Sequence, residues 1–418
     1  MTVRAGASGR GLSLAVWGLS RAVLLLCVFK VFTVPGPDVT SDVSAIYRGW
    51  YEVFHAGSYP LDDVTWQYPP AAALAVLSPD LLPFLEYASA FFVLVLLCDA
   101  LVLGLLLRAS GRPDGGSAGV WLWVLGVPLL GPTVYARYDL MVTAVAVAAL
   151  LAGVRHPRVM GALVAFGTLL KVWPVLLLVG TAPGRATRRS WSAAAVTAAV
   201  AASVAAVALP GAFAFLTFQR DRGLEIESLG ALVFHVARQF GWDGRVELRY
   251  GSMEFAGPHV ALVSTLALVL SVFAFGWLLV WRLRARTFAV HTPADAAFTA
   301  VLLFTVTSRV ISPQYMVWPL GVAAVCLVFR GSRMGLPAWL VLVATGVTLL
   351  EFPLGFAHVV AGDAEGVALM AVRNGLLVVA TLCAGRRLWR GTVPGGRRGR
   401  AAERVSPAGH EGTPATAP

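Results

Sequence analysis

Between two apolar runs the chain reads Asp38-Val-Thr-Ser-Asp42-Val-Ser-Ala-Ile-Tyr47-Arg48, then Gly57-Ser-Tyr59-Pro60 and Trp66-Gln-Tyr68-Pro69-Pro70. Apolar runs on both sides are long enough to cross a bilayer, so this stretch is expected to form a loop at a membrane face. Charged residues make up only 13% of the chain, yet five acids fall in this one loop: Asp38, Asp42, Glu52, Asp62 and Asp63. A carboxylate held beside a bilayer among aromatic rings suits an enzyme that acts on a lipid-linked substrate.

Composition defines the class of fold. Hydrophobic residues make up 58% of the 418 residues, and the mean hydropathy is +0.75. The apolar segments are continuous and do not alternate, which excludes the pattern of a membrane β-barrel. We therefore predict an all-α polytopic integral membrane protein with about 10–13 transmembrane helices and a functional outer face.

Charge and cysteine usage exclude several other classes. The net charge of +11 comes from arginines clustered between apolar runs and near the C-terminus. This is the pattern of cytoplasmic loops under the positive-inside rule, not of a nucleic-acid-binding surface. Neither a disulfide framework nor a zinc site is expected, because all four cysteines lie within apolar runs: Cys27, Cys98, Cys326 and Cys383. No cofactor and no other metal site is predicted.

The apolar runs predict the crossings. Residues 70–84 contain Pro70, Pro79 and Pro83 and directly follow Pro69. These prolines favour a short interfacial or re-entrant helix. Residues 159–180 are long enough for one crossing but are interrupted by Lys171-Val-Trp173-Pro174. The predicted spans are 13–34, 87–108, 119–133, 139–154, 191–210, 259–281, 293–308, 313–329, 336–352 and 367–386.

Charge parity decides how 159–180 is interpreted. If the N-terminus is cytoplasmic, the cluster at 185–189 and the cluster at 282–286 both belong inside. Both fall inside only if 159–180 forms two short helices that turn near Lys171, which gives about twelve crossings and two cytoplasmic termini. Such broken helices occur where backbone lines a cavity or is buried in protein.

This topology divides the chain into a transmembrane domain at 1–390 and a disordered cytoplasmic tail at 391–418. Two long extracytoplasmic loops are predicted, at 35–69 and 212–258. Shorter outer segments are expected at 134–138, 308–314 and 353–366. The predicted location is the cell membrane, with the active site on the extracytoplasmic face.

Asp42 is the candidate general base. It follows Pro35 and Pro37 and precedes Tyr47 by five residues, and from there it could take a proton from an acceptor hydroxyl. An alternative role is that of an N-cap for a helix at 43–56. Asp38 is the rival base, and the neighbouring acids Asp62 and Asp63 are explained by a turn after Pro60.

Lys171 is an ionisable residue within an apolar run, where such residues are expensive and by default mark a function. Its ammonium could bind a phosphate as a point charge, although a lysine that snorkels to the interface would explain it too. At Arg137-Tyr138-Asp139, a bound anion and an internal ion pair are both open. His358 is a weaker candidate.

Two further motifs carry candidate binding residues. In the long loop, arginines could grip phosphate oxygens and acids could bind sugar hydroxyls, although a solvated salt-bridge surface is an alternative. Between two later spans, a lone arginine on the outer side favours a bound anion. The residues concerned are Arg220, Arg222, Glu225 and Glu227 in the first motif, and Arg309, Gln314 and Tyr315 in the second.

These motifs, in this order, resemble glycosyltransferase family 87, whose members are GT-C-type membrane mannosyltransferases of actinobacteria that use polyprenyl-phosphate sugars. The resemblance rests on Asp42 to Pro70 in the first loop, Gly161 to Pro174, Arg222 to Ser228 and Ser312 to Tyr315. Lys171 is separated from Pro174 by two residues, and Tyr138-Asp139 stands where a Gly-Asn or Gly-Gln pair is expected.

The resemblance implies an inverting transfer of a hexose, expected to be mannose, from a polyprenyl-phosphate donor to a cell-envelope glycolipid or glycan. Asp42 would be the base, and basic residues would neutralise the departing phosphate: Lys171, Arg220, Arg222 and Arg309. The sugar site would be lined by the aromatic residues Tyr47, Tyr59, Trp66 and Tyr68.

Two other functions remain open. A transporter or lipid-carrier flippase would also contain buried charge and broken helices, but it would place its charges near the membrane midplane and show inverted repeats. A non-catalytic membrane subunit of an envelope assembly is the third possibility.

Overall fold

The computed structural model describes residues 2–394, except 62 and 210. Asp62 and the part of the predicted tail from 395 to 418 therefore lie outside the described residues. The α-helices are α1 Thr2–Val28, α2 Arg48–His55, α3 Ala72–Leu77, α4 Tyr87–Ser110, α5 Ala118–Gly126, α6 Asp139–Gly153, α7 Pro157–Leu170, α8 Arg185–Ala208, α9 Phe215–Asp221, α10 Leu232–Arg238, α11 Val260–Arg284, α12 Thr292–Thr307, α13 Val317–Val328, α14 Gly335–Leu349, α15 Phe356–Ala361 and α16 Ala364–Thr392.

Shorter helical turns join several of these helices. Two are π-helical, Asp42–Tyr47 and Leu350–Leu354. The others are 3₁₀ segments: Ser78–Leu81, Pro128–Val134, Trp173–Gly180 and Pro313–Met316. A small sheet contains β1 Leu224–Glu225, β2 Arg245–Arg249 and β3 Ser252–Ala256.

The predicted class of fold, an all-α polytopic membrane protein, is confirmed. Among the described residues, six helices are long and apolar enough to cross a membrane: Gly9–Val28, Tyr87–Ser110, Arg185–Ala208, Val260–Arg284, Gly335–Leu354 and Ala364–Thr392. Shorter apolar helices fill the centre of the bundle, and every residue of α13 except Leu327 is buried. By contrast, α8 and α11 lie at the periphery of the bundle. Only 11% of the apolar stretch of α8 and 17% of that of α11 are buried inside the protein.

One end of the bundle collects the arginine clusters. This end, which we name the arginine-rich end, is formed by the segments 108–117, 181–189, 282–292, 329–334 and 386–392. Contacts tie these segments together: a β-bridge joins Gly115 to Phe329, and the backbone N–H of Arg286 donates to the carbonyl oxygen of Thr392 over 2.9 Å. The positive-inside pattern in the sequence thus corresponds to one end of the folded molecule.

The chain breaks at Lys171, as charge parity predicted. Helix α7 ends at Leu170, and Lys171 adopts an extended conformation with φ −159° and ψ 134° before the 3₁₀ segment Trp173–Gly180 begins. The chain then returns to the arginine-rich end, where the guanidinium of Arg282 donates to the hydroxyl of Thr187 over 2.9 Å. The clusters at 185–189 and 282–286 therefore share one end.

The opposite end, which we name the site end, is formed by 35–70, 135–139, 171–173, 211–258, 308–316 and 350–363. Its long loop contains the antiparallel sheet β1-β3-β2, which sequence analysis missed. Strands β2 and β3 form a hairpin around Tyr250 and Gly251, with φ values of +50° and +76°. Two positive φ values are typical of the type I′ hairpin turn. The local signal was the alternation of apolar residues from Arg245 to Ala256 around this turn.

A second feature that sequence analysis missed is a buried ion pair between two spans. Arg21 of α1 and Asp99 of α4 are both almost completely buried, and Nε lies 2.7 Å from Oδ2. Asp99 also accepts hydrogen bonds from Trp17, Trp123 and Tyr135. Because a lone charge in the bilayer is expensive, this satisfied pair ties α1 to α4 and α5.

Candidate active site

A cavity of about 730 Å³ opens at the site end. It lies between the first loop, the break at Lys171, the long loop and the connection that follows α12. Nine of the twelve residues predicted to form the site line it: Asp42, Tyr68, Lys171, Arg222, Glu225, Glu227, Arg309, Gln314 and Tyr315. Four motifs that are far apart in sequence therefore meet around one space.

The other three predicted residues are not among those that line the cavity. Tyr47 is only 2% exposed and stacks on Trp50 with ring centroids 5.6 Å apart. Tyr59 accepts a hydrogen bond from the indole of Trp66 over 2.9 Å. These rings form a packed layer behind Tyr68, because large aromatic surfaces are buried whenever partners are available. Arg220 lies in α9, beside the lining residue Gln219.

Asp42 is fixed at the cavity wall by an arginine. It is the first residue of a π-helical turn, and its Oδ2 lies 2.8 Å from the guanidinium of Arg137. The side chain of Asp42 remains 32% exposed. Arg137 also donates to the carbonyl oxygens of Val39 and Ala136, over 2.9 and 2.7 Å. The carboxylate therefore contacts a held cation, in place of the N-cap role considered above.

Asp38 also lines the cavity, but its oxygens are occupied. Oδ2 accepts from the ammonium of Lys30 over 2.8 Å. Oδ1 accepts from the N–H and the hydroxyl of Thr40, over 2.9 and 2.6 Å. Burial opposes the effect of these donors, but together they lower the pKa of Asp38. A carboxylate so fully bonded is a poor base, which favours Asp42.

Lys171 is paired within the protein. Its Nζ lies 2.7 Å from Oδ1 of Asp139, and that oxygen also accepts from the indole of Trp318 over 2.7 Å. The ammonium lies 5.0–5.5 Å from four ring centroids, those of Tyr68, Tyr138, Tyr315 and Trp318. Asp139 therefore forms an internal ion pair with Lys171, which is one of the two roles that the sequence left open for Arg137-Tyr138-Asp139.

The two arginine motifs interlock. Arg309 donates to the carbonyl oxygens of Arg222 and Gln219, over 2.8 and 3.0 Å. In return, the N–H of Glu225 donates to the carbonyl oxygen of Arg309, and the hydroxyl of Ser312 donates to Oε1 of Glu225, both over 3.0 Å. These bonds fix the guanidinium of Arg309 and the backbone of Arg222 at the same wall of the cavity.

The two arginines of this wall differ in how their charge is balanced. Arg222 pairs with Glu254 at 3.4 Å, and although burial opposes it, the carboxylates of Glu225 and Glu254 raise the pKa of Arg222. Within the described residues Arg309 makes no ion pair with a carboxylate, and burial, followed by the positive charge of Arg222, lowers the pKa of Arg309. Arg309 is therefore the cation of this wall whose charge an anion could balance.

Two buried glutamates add hydrogen-bonding capacity. Burial raises the pKa of Glu225, although the charge of Arg222 opposes this. Burial and the neighbouring carboxyl of Glu351 raise the pKa of Glu227 well above its ordinary value. Atoms Oε2 of Glu225 and Oε1 of Glu227 have no hydrogen-bond partner within the described residues. A protonated glutamate can donate to a sugar hydroxyl as well as accept from one.

Residues that sequence analysis missed hold Glu227 from behind. The guanidinium of Arg373 donates to the carbonyl oxygen of Glu227 and to Oε1 of Glu351, both over 2.8 Å. Asn374 approaches the carbonyl oxygens of Glu227 and Ser228 at 3.4 Å. The available signal was the presence of Glu351 and Arg373 within or beside apolar runs, where ionisable residues are rare.

The helical membrane fold places a carboxylate, cations and aromatic rings around one cavity at its end, an arrangement that suits a membrane enzyme. The sequence model of Glycosyltransferase family 87 matches residues 66–313, which is more than half of the chain. The chain therefore belongs to glycosyltransferase family 87 and is a multi-pass membrane glycosyltransferase. No curated protein and no solved structure matches it significantly. Asp42 precedes the matched region, and Glu351 and Arg373 follow it.

Proposed function

We propose that this glycosyltransferase moves a hexose, mannose in our preferred case, from a polyprenyl-phosphate donor to a glycolipid or glycan of the cell envelope. The observation that carries the proposal is the presence of Asp42 and of the pair Arg222 and Arg309 on one cavity. A base for the acceptor and a cationic wall for the leaving group are the two elements that this transfer requires.

The lipid part of the donor is supported by the side wall of the cavity. Phe215 and Leu216 of α9, Leu268 and Phe275 of α11, and Phe304 of α12 line this wall. Leu216, Leu268 and Phe275 are exposed, on helices at the periphery of the bundle. An isoprenoid chain could therefore leave the cavity sideways into the bilayer, whereas a nucleotide donor would gain little from such a wall.

The chemistry follows from these positions. Asp42 takes the proton of the acceptor hydroxyl, whose oxygen forms a bond to the anomeric carbon. The bond from that carbon to the phosphate oxygen breaks on the opposite face, so the anomeric configuration inverts. Arg222 and Arg309 stabilise the phosphate monoester that departs, and the proposal needs no metal or other cofactor. Arg137 orients Asp42.

Sugar recognition is assigned to the remaining lining residues. Tyr68 and Tyr315 offer ring faces for a pyranose, since aromatic faces with a polar tip suit sugars. Glu225, Glu227 and Gln314 offer acceptors and donors for its hydroxyls. Tyr47 and Tyr59 would act indirectly by fixing the position of Tyr68.

The donor class can be tested with purified protein in proteoliposomes. We expect label to move from polyprenyl-phosphate-[¹⁴C]mannose to a membrane-extract acceptor, with no nucleotide sugar added and with chelator present. Transfer only from a nucleotide sugar would contradict the lipid-phosphate donor. Equilibration of the labelled lipid across the bilayer without transfer would favour the flippase alternative.

We further propose that the site end is extracytoplasmic and that both termini are cytoplasmic. Single cysteines at two exposed positions, Pro183 and Asp243, in a cysteine-free background, should respond differently to an impermeant thiol reagent. Asp243→Cys should react in intact cells, and Pro183→Cys only after permeabilisation. The reverse pattern would invert the topology.

We also propose that Lys171 contributes to binding of the donor phosphate. A test of this role requires a variant that does not leave Asp139 without its partner. We expect Lys171→Met in an Asp139→Asn background to bind polyprenyl phosphate about 10–100-fold more weakly than Asp139→Asn alone, which is the worth of a charge-assisted hydrogen bond. Affinity can be measured by calorimetry in detergent. Equal affinity of the two variants, both folded, would limit Lys171 to its ion pair with Asp139.

A further inference from the structure

A second groove lies outside the catalytic cavity and extends to the arginine-rich end. It has a volume of about 370 Å³ and opens between α11, α12 and α16. Its lining residues include Trp277, Leu303, Leu382, Arg386, Trp389 and Arg390. None of these takes part in the transfer reaction proposed above.

The groove changes character along its length. Arg386 and Arg390 are exposed and lie one helical turn apart on α16, so their side chains share one face. Leu382 is 69% exposed and lies eight residues before Arg390, which corresponds to about 12 Å along a helix. The groove therefore runs from a cationic mouth to an apolar floor over a distance that suits a phospholipid headgroup and the first part of its acyl chain.

Two tryptophans frame the cationic mouth. The rings of Trp277 and Trp389 lie 6.1 Å apart, and indole rings favour the interface between a bilayer and water. Gly385 permits this close packing, because a Cβ at that position would lie 3.3 Å from the ring of Trp277. Side chains from two helices therefore form this part of the groove.

The charges of the mouth lack a partner in the described part of the chain. No carboxylate there pairs with Arg386 or Arg390, whereas Arg387 beside them donates to the carbonyl oxygen of Arg333. Basic pockets between transmembrane helices bind anionic lipid headgroups. A free inorganic anion would satisfy the arginines but would leave the apolar floor empty.

We propose that this groove binds one anionic glycerophospholipid, with its phosphate between Arg386 and Arg390 and an acyl chain along Leu303 and Leu382. Such a lipid would join α11 to α16. Helix α11 also carries Leu268 and Phe275 to the wall of the catalytic cavity, so the bound lipid would support that wall from the outside of the bundle.

The test compares two lipids with identical acyl chains, phosphatidylglycerol and phosphatidylcholine, titrated into delipidated full-length protein and counted by native mass spectrometry. The test variant is Arg386→Gln/Arg390→Gln. The matched control is Arg284→Gln/Arg330→Gln, which removes two exposed charges at the same end but outside the groove. Gel filtration checks that each variant is folded.

We expect the wild type to bind one phosphatidylglycerol about 10–30-fold more tightly than phosphatidylcholine, since each basic side chain near a headgroup contributes about tenfold or less. The test variant should lose this preference, and the control should keep it. Equal affinity of the wild type for both lipids would overturn the proposal. An equal loss in the control would also overturn it, because the preference would then reflect general surface charge.

Discussion

Replacing Asp42 with asparagine is expected to lower the rate of glycosyl transfer by a factor of about 10²–10⁴, the usual effect of removing a general base. Asparagine keeps the size of the side chain, and its carbonyl oxygen can still accept from Arg137, which lies 2.8 Å away. The fold should therefore persist, with a nearly unchanged melting temperature. Initial rates with a labelled polyprenyl-phosphate sugar provide the measurement.

Asp38→Asn is the matched control, because Asp38 lines the same cavity only four residues away. Its oxygens are already bonded to Lys30 and Thr40, so the loss in rate should be much smaller. Transfer by Asp42→Asn at more than about a tenth of the wild-type rate would be incompatible with a base of this strength. A collapse in Asp38→Asn alone would move the assignment to Asp38.

The largest expected effect on stability is that of Asp99→Ala. It leaves the buried guanidinium of Arg21 without its carboxylate and removes the acceptor of Trp17, Trp123 and Tyr135. Removal of one partner of a buried ion pair typically destabilises by about 3–5 kcal/mol. The melting temperature in detergent should fall clearly, and the half-life at a fixed temperature should shorten.

Two comparisons isolate the cause. Asp114→Ala removes an exposed acid and should leave the melting temperature nearly unchanged. Arg21→Met/Asp99→Leu replaces both charges by apolar groups and should recover the part of the loss that comes from the unpaired guanidinium, while Trp17, Trp123 and Tyr135 still lack their acceptor. If Asp99→Ala melted like Asp114→Ala, the pair would not contribute as described.

The spans could be predicted because bilayer thickness imposes long apolar runs. Residues 87–108 were expected to be helical and Tyr87–Ser110 is, and 259–281 corresponds to Val260–Arg284. The break at Lys171 was also predictable, because Lys171-Val-Trp173-Pro174 interrupts the apolar run and charge parity requires the clusters at 185–189 and 282–286 to lie on one side. These features depend on the pattern of apolar runs and charges along the chain.

The pairing of distant groups could not be predicted in the same way. The sequence left a bound phosphate or a snorkelling side chain open for Lys171, and its partner Asp139 became visible only when α6 and α7 were placed side by side. Tyr47 and Tyr59 carry the same aromatic signal as Tyr68, but packing leaves only Tyr68 at the cavity. The hairpin at 245–256 had a local signal, which the search for apolar spans passed over.

The most direct test of the account is a cryo-EM map of the Asp42→Asn variant bound to a polyprenyl-phosphate sugar, because this variant should hold the donor without consuming it. We predict phosphate density between the guanidinium groups of Arg222 and Arg309, with the sugar beside residue 42 and Tyr68. The isoprenoid should follow Leu268 and Phe275 towards the bilayer. Donor density outside this cavity, or a phosphate that contacts neither arginine, would contradict the proposed active site.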